Sequence, residues 1–164
     1  MTISMLLTLA LAGLEPGTAA PDVSALNQDG KAVKLSDFAG KPVLLYFYPK
    51  DDTPGCTKEA CTLRDAYTQF QAQGIVILGV ARQSPESHKA FKEKYHLPFD
   101  LISDESGAFA KAFGINSVPI LGWFKRQSVL LDADHKVVKF FDDVDPKAHA
   151  AEVLAVAAAA RPAP

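Results

Sequence analysis

Residues 43–61 read VLLYFYPKDDTPGCTKEAC, and this stretch decides the fold. Its first six residues, Val43 to Tyr48, are apolar or aromatic without alternation. That is the pattern of a strand buried on both faces, as in the centre of a parallel sheet. Pro49 stops the strand, because it brings no N–H to the ladder. After a short polar loop, Thr53 is placed to act as N-cap, and Pro54 takes the first helical position, where a missing N–H costs nothing. Ala60, Leu63, Tyr67 and Phe70 then recur at helical spacing. They predict one helix from Pro54 to Gln71 with an apolar stripe, closed at Gly74. A buried strand that runs into a helix is the unit of a layered α/β fold, and in such folds reactive groups gather at the carboxyl ends of the strands.

The rest of the chain repeats the theme. Asn27-Gln28-Asp29-Gly30 is a turn signal, and Asp29-Gly30 suits a hairpin near the N-terminus. Ile75 to Val80 reads as a second buried strand, and Ser84-Pro85 opens a helix to about Tyr95. Asp104 to Phe113 reads as a shorter helix ended by Gly114, and Val118 to Phe124 and Ser128 to Asp132 read as extended. Asp134-His135 turns the chain into Val137 to Phe141, and Asp145-Pro146 caps a last helix to about Ala158. Alternating strands and helices predict a layered α/β domain with a central sheet. No repeat or linker divides the chain, so residues 13–160 read as one domain.

Composition removes several classes of function. The 164 residues carry 17 Lys+Arg against 19 Asp+Glu, a net charge of -2, which argues against nucleic acid as the main partner. Two cysteines are too few to staple a small secreted fold. The apolar run Met5–Leu14 (MLLTLALAGL) falls short of the roughly 20 residues a spanning helix needs. It has the length of a signal-peptide core, with Ala10-Leu11-Ala12 as a small-residue cleavage site, but no Lys or Arg precedes it. Residues 1–12 are thus either a signal peptide or an N-terminal extension, and both a cytoplasmic and a periplasmic location stay open.

Cys56 carries the chemistry. With Thr53 as N-cap it falls at the third helical position, beside unpaired backbone N–H groups and the positive end of the helix dipole. Both favour a thiolate, the nucleophilic form of cysteine. Cys61 lies some 140° further around the helix, at about 100° per residue, so the two sulfurs cannot bond while the helix is intact. A Cys56–Cys61 disulfide would require the first turn or two to unwind. His88, His96, His135 and His149 are scattered, and none sits at metal-ligand spacing from a cysteine. Asp51-Asp52 reads as a short solvated acidic loop, and Tyr46, Phe47, Tyr48, Trp123 and Phe124 read as core or as walls of the site.

At this segment the chain resembles the peroxiredoxins, specifically the bacterioferritin comigratory protein or peroxiredoxin Q group. The family motif Pro-x-x-x-Thr/Ser-x-x-Cys is met by Pro49, Thr53 and Cys56, and Cys61 matches the form whose second cysteine lies five residues on. Ala20-Pro21-Asp22, Leu35-Ser36-Asp37-Phe38 and Arg126-Gln127-Ser128 extend the match over about residues 14–156. Departures are Val23 for the usual Phe, and Ser128-Val129 for Thr-Phe.

The resemblance implies a thioredoxin-like fold, an α/β domain with a central mixed β-sheet flanked by helices, no cofactor and no metal, and a monomer. It also implies reduction of hydrogen peroxide and alkyl hydroperoxides. Cys56 would be the peroxide-attacking nucleophile and Cys61 the resolving thiol, and thioredoxin or a similar dithiol would reset the disulfide. Thr53, Arg126 and the Gly55 and Cys56 N–H groups would donate to the peroxide, Pro49 would shield the sulfur, and Glu59 would hold Arg126. Two other uses of the cysteine pair remain alternatives: a thioredoxin-fold copper-binding carrier, since soft thiolates bind Cu(I), and a redox sensor.

Overall fold

The computed structural model describes residues 14–161. The cleavage motif and all but the last residue of the apolar N-terminal run lie outside them. Seven strands form one mixed sheet in the order β2-β1-β5-β4-β3-β6-β7. They are β1 (Ser24–Asn27), β2 (Ala32–Lys34), β3 (Val43–Phe47), β4 (Val76–Ala81), β5 (Asp100–Ser103), β6 (Gln127–Leu131) and β7 (Val137–Phe141). The helices are α1 (Pro54–Asp65), α2 (Tyr67–Ala72), α3 (Pro85–Tyr95), α4 (Ala108–Ala112) and α5 (His149–Ala160).

The unalternating run is the centre of this sheet. All five residues of β3 are buried, with parallel β4 on one side and antiparallel β6 on the other. Alternate residues feed two cores. Leu44, Tyr46 and Tyr48 face Leu63, Phe70 and Phe91 on the side of α1, α3 and α5, whereas Leu45 and Phe47 face Phe109, Phe113 and Phe124. Full burial of each such side chain is worth about 1.5–3 kcal/mol, so the strand that carries the site is firmly anchored. The expected hairpin is present as the antiparallel β1–β2 pair. Gly30 takes the φ of +72° that its turn requires, and Asn27 Oδ1 accepts from the N–H of Asp29 and of Lys31.

Four local readings change. The helix predicted from Pro54 to Gln71 is interrupted at Ala66, whose ψ of 5° leaves the helical value, and α2 then turns Phe70 into the core beside Leu63. The segment Val118 to Phe124 is a loop, tied by the single bridge Ser117–Phe124. Pro119 supplies no ladder N–H, and Ile120 and Gly122 take positive φ, so the chain folds back on itself and Ile120 and Leu121 stand exposed. The short helix starts at Ala108, because Asp104 instead turns its carboxylate onto the N–H groups of Phe109 and Ala110. The last helix starts at His149, after a turn in which Asp145 accepts from Lys147 N–H.

Candidate active site

Thr53 takes the N-cap position of α1 in extended conformation, Pro54 is the first helical residue and Cys56 the third. The Thr53 hydroxyl does not cap the helix. It donates to the Lys50 carbonyl at 2.8 Å, so its proton is engaged within the loop. The first helical N–H with a partner is that of Thr57, bonded to Thr53 O at 2.8 Å. The N–H groups of Gly55 and Cys56 precede it and have no acceptor within the helix.

Arg126 reaches this turn because of sheet topology. β6 runs antiparallel to β3, so Gln127 pairs with Phe47, and the residue before Gln127 lies where β3 releases the site loop. Arg126 Nη2 donates to Cys56 Sγ at 3.5 Å, while Nη1 donates to Glu59 Oε2 at 2.6 Å. One planar fork thus spans the sulfur and the carboxylate, a geometry that a lysine cannot copy. Gly55 is needed for this approach: a Cβ there would stand 2.9 Å from Arg126 Nη2. Cys56 is 2% exposed, and Pro49 lies half-buried just past β3. Cys61 is half-buried on the same helix, and both cysteines are free thiols.

The electrostatics of the pair are set by burial. Glu59 is fully buried, and loss of water pushes its carboxyl up from 4.5 to about 7, with the Arg126 charge and hydrogen bond pulling the other way. The Arg126 guanidinium loses water too, but Glu59 and then Cys56 outweigh that and hold its pKa above the ordinary value. His149, with Nε2 2.9 Å from Ser128 Oγ, is pushed down to about 4 by burial and then by Arg126, so it is neutral at pH 7. Burial, and then Glu59, raise the Tyr46 hydroxyl, which has no hydrogen-bond partner among the described residues. Gly79 makes room for that ring, since a Cβ there would meet Tyr46 Cζ and Oη at 2.7 Å.

These shifts give opposed pH effects. Glu59 binds its proton more tightly folded than unfolded, so its contribution is fully present below pH 4.5 and is lost as the pH rises through about 7. His149 binds its proton less tightly folded, so its contribution is present above pH 6.5 and is lost as the pH falls through about 4. In the Glu59→Gln variant the first is removed. Urea unfolding from pH 4.5 to 7 is expected to show stability climbing with pH more steeply than in the wild type, by roughly 1 kcal/mol per pH unit. Parallel curves would contradict this assignment.

The structure brings together Cys56, Gly55, Glu59 and Arg126, with Thr53 and Pro49 on the entering loop. Sequence reasoning missed two neighbours. Asp51, read as solvated, is buried and accepts from Tyr48, Ser87 and His88. His88, read as scattered, is that partner. The signal available in the sequence was only that His88 falls within a helix opened by Ser84-Pro85.

A cysteine thus stands in the first turn of the helix that follows a central strand, faced by an arginine from the antiparallel neighbour. The AhpC/TSA family model matches residues 16–140. Peroxiredoxin Q, chloroplastic, from Oryza sativa subsp. japonica is 42% identical over 142 residues, covering 85% of this chain; the chain spans 65% of the length of that protein. Among solved structures, Peroxidoxin BcpB from Mycobacterium tuberculosis superposes with a TM-score of 0.84 at 32% identity, over 91% of this chain and 99% of that one. The Xanthomonas campestris bacterioferritin comigratory protein, whose structure was described for its alkyl peroxide reduction activity, gives 0.79 at 34% identity, over 89% of this chain and 96% of that one. The chain belongs to the AhpC/TSA family and, within it, to the peroxiredoxin Q and bacterioferritin comigratory protein group.

Proposed function

We propose that this protein is a thiol-dependent peroxidase that reduces hydrogen peroxide and alkyl hydroperoxides through Cys56. The Cys56 thiolate attacks one peroxide oxygen, the O–O bond breaks, and water or an alcohol leaves after taking up a proton; Cys56 becomes a sulfenic acid. Cys61 then attacks that sulfur and expels water, and the two sulfurs are joined. An external dithiol, thioredoxin or an equivalent, reduces the disulfide by exchange and is itself oxidised. The observation that carries this reading is the Arg126 Nη2 donor 3.5 Å from Cys56 Sγ in the first turn of α1.

The supporting roles follow the charge. As the O–O bond breaks, negative charge spreads over sulfur and both oxygens, and preplaced donors count most there. Arg126 and the free N–H groups of Gly55 and Cys56 supply positive ends. The Thr53 oxygen accepts the proton of the hydroperoxide, Glu59 holds the Arg126 fork, and Pro49 keeps bulk water off the sulfur. The chain is read as working as a monomer.

The Cys61→Ser variant tests the cycle. It is expected to consume about one equivalent of peroxide per chain rapidly and then stall with thioredoxin as reductant. Normal cycling in that variant would mean that Cys61 takes no part.

A further inference from the structure

The loop between β3 and α1 is fastened far more firmly than the first turn of the helix it feeds. The Asp51 side chain is 5% exposed and receives three hydrogen bonds: from Tyr48 Oη at 2.7 Å, Ser87 Oγ at 2.8 Å and His88 Nδ1 at 2.6 Å. The His88 ring is fully buried, and its Nε2 lies 3.0 Å from the Ile102 carbonyl. The ring is therefore pinned between β5 and the loop. The Asp51 N–H adds a bond to Gln83 Oε1 at 3.2 Å. Asp52, in left-handed conformation at φ +57°, accepts from Lys94 Nζ and Tyr95 Oη at 2.7 Å each. The loop is thus tied to both ends of α3, whereas α1 starts without a side-chain cap.

We propose that Asp51, locked by Tyr48, Ser87 and His88, is a positioning residue that holds residues 49–52 still while the first turns of α1 unwind to carry Cys56 to Cys61. The motion then begins beyond Asp52. Pro49 and the Arg126 corner keep their places, and the helix winds back onto an unmoved template once the disulfide is reduced. The inference rests on the peroxidase reading for its purpose, but its geometry can be tested without peroxide.

Two measurements on the full chain test it. In stopped-flow oxidation followed by the fluorescence of Trp123, His88→Leu is expected to slow the peroxide-dependent phase by about 10- to 100-fold, the scale of a slightly misplaced reacting group, and to leave the later disulfide-forming phase as fast or faster. His88→Asn, whose amide can still donate to Asp51, is expected to recover most of that loss. Both phases slowed alike, or no difference between His88→Leu and His88→Asn, would overturn the proposal. A wild-type chain with no peroxide-dependent phase would instead sink the peroxidase reading. In the second measurement, hydrogen exchange is compared between the reduced wild type and the wild type oxidised with diamide. The Asp51 N–H is expected to stay protected while that of Thr57 loses protection; loss at both positions would overturn the proposal whatever the fate of the peroxidase reading.

Discussion

In the Cys56→Ser variant, peroxide consumption is expected to fall to the rate of the uncatalysed reaction. Serine fills the same space, so the helix start and the buried surroundings of the residue survive. What is lost is the sulfur beside Arg126, a far better nucleophile toward oxygen than a hydroxyl. A hydroxyl next to Arg126 stays protonated and is a poor nucleophile toward an O–O bond. Cys61 cannot stand in: it lies on another face of α1, and the contacts of Arg126 go to Cys56 and Glu59. Loss of peroxide monitored by its absorbance, with the fold checked by circular dichroism, decides the point. A variant that is folded and still turns over near the wild-type rate would remove Cys56 from the chemistry.

The Arg126→Ala variant is expected to lose about 10²- to 10³-fold in the rate constant for peroxide with Cys56, the range seen when one preorganised donor to a developing negative charge is removed. Two effects add in the same direction. The sulfur loses a charged donor at 3.5 Å, and Glu59, fully buried and with Oε1 unpartnered among the described residues, loses the contact that offsets its desolvation. The variant is also expected to react more slowly with iodoacetamide at neutral pH, which reports the thiolate without any peroxide. Arg126→Lys is expected to recover only part of the loss, because one ammonium cannot serve the sulfur and the carboxylate together. Wild-type rates in Arg126→Ala with both reagents would show that the guanidinium is a bystander.

Much of this was legible in the chain. The unalternating run Val43 to Tyr48 and the spacing of Ala60, Leu63 and Phe70 are set by burial, and burial is what residue type records most directly. The placement of Cys56 at the third helical position followed from Pro54 and the residue before it. Other features were not legible because they depend on contacts across the fold. Arg126 lies 70 residues from Cys56, and only the antiparallel pairing of β6 with β3 brings it there. Adjacent acidic residues read as solvated, yet Asp51 turns inward to three donors while Asp52 faces out to Lys94 and Tyr95. The apolar segment from Val118 to Phe124 read as a strand by composition, whereas Pro119 and two residues at positive φ made it a loop.

The most direct measurement is mass mapping of the reduced chain after treatment with one equivalent of hydrogen peroxide for a few seconds. The expected product is a peptide pair cross-linked between Cys56 and Cys61, formed through a Cys56 sulfenic acid that a dimedone trap intercepts. Unchanged thiols at Cys56 and Cys61 after peroxide has been consumed, or oxidation that spares Cys56, would contradict it.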